Sequence, residues 1–278
     1  MILIGTAAAR GVYFALLMLL FGSAAFGALL RKRLPLIAGV RLPRWPALLL
    51  ALITACVWFI LAATQMAGAL TRDAMLEAAT ATLFGQLFLA RLALLLGLAL
   101  VLKRGQVLAA LLAAGALVLP AATGHAAAAS PAGFTAIGAT LDGVHLLACG
   151  FWIGGLAVLV TLFRRKEPNI LLALSLFSEF AMIAVLLLTM TGLIDAASII
   201  LGSANNGSGG APATPYLTVL GAKLALVAVM LTLAAINRFK LMPRAQDAGV
   251  ARNTVIELGL GVIVVLLAGA LGQLPPTL

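Results

Sequence analysis

Eight apolar runs, each close to the length of a bilayer-crossing helix, follow one another along this chain with short polar joints between them. A helix needs about 20 largely apolar residues to cross ~30 Å of hydrocarbon, and in lipid every backbone N–H and C=O must be bonded inside the structure. A membrane barrel would instead show alternating segments of about ten residues, and the sequence has none. The expected fold is all-α, a polytopic helical membrane protein forming a single domain over residues 1–278. A composition of 64% hydrophobic and 9% charged residues excludes an ordinary soluble domain.

The spans are expected near 8–30, 46–68, 81–102, 106–123, 138–163, 170–197, 216–237 and 254–274. A net charge of +10 could suggest nucleic acid, but most of the basic residues sit in short clusters at the joints. Fourteen of the 18 fall in four of them: Arg31, Lys32, Arg33, Arg41 and Arg44; Lys103 and Arg104; Arg164, Arg165 and Lys166; Arg238, Lys240, Arg244 and Arg252. Lys and Arg accumulate on the cytoplasmic side of membrane proteins, so these joints are expected inside and both termini outside. No nucleic-acid partner is expected; the surrounding partner is lipid. The first run ends in Arg31-Lys32-Arg33 without a small-residue cleavage site, and is expected to be a retained helix. Cys56 and Cys149 both fall inside expected spans, which argues against a disulfide framework.

Both histidines, His125 and His145, lie between Gly124 and Leu156. Asp142, His145 and Cys149 are three and four residues apart, so a helix places them on one face. Ionisable groups inside a membrane span are costly and mark function. His145 lies about seven residues, or roughly 10 Å, below the outer edge of the fifth span. Met66 and Met190 fall in the same outer layer. Imidazole, thiolate and thioether together suit copper, for which methionine is a useful ligand as Cu(I). The candidate metal ligands are His125, His145, Met66, Met190 and Cys149, although methionine also fills gaps in cores and cysteine packs as a small apolar residue. Asp142 could orient the His145 imidazole or cap the outer end of the helix. Arg91 and Glu179, both near mid-membrane, are expected to face the interior and to pair; Lys223 and Asp195 are candidate partners in the outer third. Glu257 is expected at the cytoplasmic interface. Gly150, Gly154 and Gly155 give the fifth span a small-residue surface for close helix packing.

These residues resemble the CopD family of bacterial inner-membrane copper-resistance proteins. The similarity runs through Phe21-Gly22, Arg91, Gly124-His125-Ala126, Asp142-x-x-His145 and Phe151-Trp152-Ile153-Gly154-Gly155-Leu156. It continues through Phe177-Ser178, Thr191-Gly192, Tyr216 with Lys223, Asn237-Arg238, Glu257 and Leu274-Pro275-Pro276. The resemblance implies an eight-helix inner-membrane protein that handles copper at the periplasmic side and carries it inward. It also implies His125 and His145 as ligands and a small periplasmic copper-binding protein, CopC-like, as donor. The sequence has no G-x-x-x-x-G-K-[ST] phosphate loop, so ATP-driven pumping by this chain is not expected, and the chain is read as a binding and transport protein, not an enzyme. Two other readings stay open: a haem-binding electron-transfer protein with two axial histidines, and a copper store or sensor that does not transport.

Overall fold

The structure, a computed structural model, describes residues 2–37, 42, 44–123, 135–205, 214–244 and 246–274. Among the described residues there is no strand. The helices are α1 (Ile2–Arg33), α2 (Arg44–Ala67), α3 (Arg72–Ala81), α4 (Leu83–Val101), α5 (Gln106–Val118), α6 (Thr135–Arg164), α7 (Ile170–Asn205), α8 (Thr214–Ile236) and α9 (Asp247–Leu271). Seven of them are long and apolar enough to cross a membrane, and the stretch Gln106–Ala121 is a shorter apolar helix. This confirms a multi-pass helical membrane protein, with each expected span matched by a helix.

Two local features depart from the expected pattern. The joint carrying Arg72, Asp73 and Glu77 is a helix, α3, because threonines cap it. Thr71 accepts from the Ala74 N–H at 3.3 Å. Thr82 donates to the Ala78 carbonyl at 2.6 Å and accepts from the Gly85 N–H at 3.0 Å, so one side chain ends α3 and starts α4. The fourth apolar run is also divided, with α5 followed by a 3-10 turn over Leu119–Thr123. Pro120 lies in that turn, where it has no N–H to continue an α-helix.

Helix α1 is the hub, packed against α2, α5, α6 and α9. Lipid is as apolar as any leucine face, so helices in a membrane associate by close van der Waals packing at small residues. Gly22 of α1 sits directly on the backbone of Gly150 and Gly154 in α6, as the glycine surface of that span predicted. Gly155 faces the Phe177 ring of α7. At the other end of α1, Gly269 of α9 meets Ala7 and Gly11, so the start of α1 and the end of α9 lie side by side.

Arg91 is buried at 2% exposure in an aromatic box. Its guanidinium carbon stands 4.8 Å from the Trp58 ring centroid and 6.0 Å from that of Phe84, while Nε donates to the Leu87 carbonyl at 3.1 Å. The expected pairing with Glu179 is corrected: Glu179 is exposed on α7, and the helices against which α4 chiefly packs are α2, α3 and α5. The ring faces stabilise the buried charge instead. Arg91→Ala is expected to lower unfolding free energy by about 2–4 kcal/mol, from the lost cation–π contact and the cavity left behind. Thermal melting in detergent reads this, and an unchanged midpoint would contradict it.

Candidate metal centre

Helix α6 puts Asp142, His145 and Cys149 on one face, as their spacing requires. His145 is half-buried. Its Nδ1 lies 2.7 Å from the Thr191 hydroxyl on α7. Thr191 is 2% exposed, and its hydroxyl donates to the Leu187 carbonyl one turn earlier, also at 2.7 Å. The hydroxyl has one proton for these two bonds. With that proton directed at the Leu187 carbonyl, the oxygen accepts from Nδ1–H and Nε2 is an open lone pair, the form in which a neutral histidine ligates a metal. Gly192 lies beside the ring: a Cβ at that position would stand 3.9 Å from its Cε1.

Charged groups from three helices surround this imidazole. Lys223 of α8 acts electrostatically on His145, on Cys149 and on Asp195 of α7. Asp195 in turn acts on Asp142 and on Tyr216. Cys149, one turn below His145, is half-buried and packs against the core.

The two methionines do not join this layer. Met66 is 56% exposed on α2, which packs chiefly against α1, α3 and α4, and Met190 is 51% exposed on α7. Both turn their thioethers outward, where an apolar side chain meets lipid at no cost. His125 lies outside the described residues. Among the described residues no group of three or more His, Cys, Asp or Glu is assembled as a metal site. The layer therefore contributes one imidazole, held through Nδ1, and neighbouring charged groups.

Thr191 is the residue that sequence reasoning passed over as a ligand-orienting group, although Thr191-Gly192 was visible as a polar break in an apolar run. Glu257 is more enclosed than its position in the sequence suggests. Expected at the cytoplasmic interface, it is 2% exposed within the bundle and bonded to Asn237 of the turn that follows α8. That turn, Asn237–Leu241, is a π-helix, and no composition signal marks it.

Comparison with known proteins adds a family context. Residues 171–271 match the family described as "Copper resistance protein D", and residues 1–135 match "Copper resistance protein D-like, N-terminal domain". "Copper resistance protein D" of Pseudomonas syringae pv. tomato is 29% identical over 300 residues, covering 94% of this chain and 93% of that protein. "Copper transport protein CutJ" of Bacillus subtilis (strain 168) is 31% identical over 166 residues, covering 58% of this chain. The match spans only 29% of the length of that relative. No solved structure matches the chain.

Proposed function

Because this chain belongs to the copper resistance protein D family, we propose that it binds copper at the periplasmic side of the inner membrane and passes it toward the cytoplasm. The observation that carries this reading is the His145–Thr191 bond, which engages the imidazole through Nδ1 and not through Nε2, the nitrogen left to meet a metal. His125 would supply the second imidazole. The adjacency of Gly269 to Ala7 and Gly11 requires an even number of crossings between them, which supports eight spans. Fourteen of the 18 basic residues then lie inside, and both termini lie in the periplasm. A small CopC-like protein would deliver the ion. An inward-negative potential favours cation entry by ~2.3 kcal/mol per charge per 100 mV, so import needs no nucleotide.

Sealed right-side-out vesicles carrying the protein test the direction. Under an inward-negative potential they are expected to accumulate copper in the lumen above the level of protein-free vesicles, and His125→Ala is expected to return them to that level. Copper that stays bound to the protein without entering the lumen would overturn import and favour the store or sensor.

A further inference from the structure

A cavity of about 260 Å³ lies between α6, α7, α8 and α9, in the half of the bundle that carries Arg238, Lys240 and Arg244. Most of its wall is hydrocarbon. Against that background stand the carboxylate of Glu257, the amide of Asn237, and the thioethers of Met182 and Met242.

Glu257 is held in place by neutral groups alone. Asn253 Nδ2 donates to Asn237 Oδ1 at 2.9 Å, which fixes the Asn237 amide so that its Nδ2 donates to Glu257 Oε1 at 2.7 Å. The Trp152 indole lines the same cavity and acts on the carboxyl. Arg238 shares the cavity wall, but its guanidinium is bonded to the Ser178 carbonyl at 3.2 Å and to the Ser178 hydroxyl, both on α7. Burial without a cationic partner favours the neutral acid, so an ion entering the cavity would displace the proton of Glu257 and meet a carboxylate, an exchange that a glutamine could not provide. The backbone is unusual at the same place. The single π turn at Asn237–Leu241 carries both Asn237 and Arg238 on the cavity wall, and such turns are found most often at functional sites.

We propose that this cavity is an inner cation site. On losing its proton Glu257 supplies one negative charge, and the half-buried Met242 supplies a soft donor, a combination suited to a monovalent soft ion such as Cu(I) or Ag(I). The identity of the ion rests on the copper reading above; the buried carboxylate and the cavity do not. In the proposed topology the site stands on the cytoplasmic side, below His145 and Cys149, where an inward path would release its cargo.

Ag(I) binding to the full-length protein in detergent tests the site, with stoichiometry measured on the parent, Glu257→Gln and His145→Ala. The parent is expected to bind an ion that Glu257→Gln loses while keeping the one that depends on His145. Trp152 gives a readout on the parent itself, independent of whether Glu257→Gln folds: Ag(I) is expected to quench an indole emission that is missing from Trp152→Phe. Unchanged stoichiometry in Glu257→Gln, or no quenching assignable to Trp152, would overturn the inner site. Stoichiometry that falls in Glu257→Gln but not in His145→Ala would overturn the outer site and leave the inner one standing. A parent that binds no Ag(I) would overturn both.

Discussion

His145→Ala is expected to abolish copper binding in the outer layer, and Thr191→Val to weaken it by about 10–100-fold. The valine keeps the branched shape of threonine, so packing between α6 and α7 survives, but the oxygen that accepts from Nδ1 is gone. Nothing then holds the proton on that nitrogen, and the ring divides its time between two tautomers and several orientations, only some of which present Nε2 to the metal. Thr191→Ser restores the oxygen and is expected to restore most of the affinity. Competition for Cu(I) with a chromophoric chelator measures all three variants. Parental affinity in Thr191→Val would mean that the hydroxyl only satisfies its own helix through Leu187 and has no hold on the imidazole.

Gly154→Leu is expected to have the largest effect on folding. A side chain at Gly154 would run into the backbone of Gly22 and Ser23 on α1, and backbone cannot swing aside as a flexible side chain can. Overpacking a core usually costs about 1–3 kcal/mol, and here the cost is larger because two helix axes must separate. Helix α1 also packs on α2, α5 and α9, so displacing it loosens most of the bundle. The folded, monodisperse peak is expected to be lost on size-exclusion chromatography in detergent. Gly221→Ala is the matched control. At Gly221 a Cβ would meet nothing within 4 Å, so that variant is expected to match or slightly exceed the parent, since alanine favours helix by about 1 kcal/mol over glycine. Equal behaviour of the two variants would rule out the close α1–α6 crossing.

The outer layer shows how much a sequence of this kind discloses. Asp142, His145 and Cys149 were placed on one face by spacing alone, because helical periodicity is a local property of the backbone. The partner that fixes the His145 tautomer lies 46 positions away, on another helix, and no local pattern identifies it. The same limit separates Met66 and Met190, which turn outward, from Trp58 and Phe84, which turn inward to hold Arg91. Glu179 and Glu257 make the contrast sharpest: two acids in apolar runs, one exposed and one buried.

What the sequence determined by itself was the set of long apolar helices and the distribution of charge between their ends. Both follow from the solvent: hydrocarbon forces the backbone to bond within each segment, and it drives most basic residues into the joints. What only the tertiary structure decided was rotation, that is, which face of each helix looks inward. In water an apolar stripe identifies the buried side, but lipid accepts leucine as readily as a core does, so the faces of these helices are nearly alike in hydropathy. Close contacts settle the rotation instead: Gly22 against Gly150 and Gly154, Thr191 against His145, and Asn237 against Glu257. Each joins residues far apart in the chain, and each becomes visible only when the helices are packed.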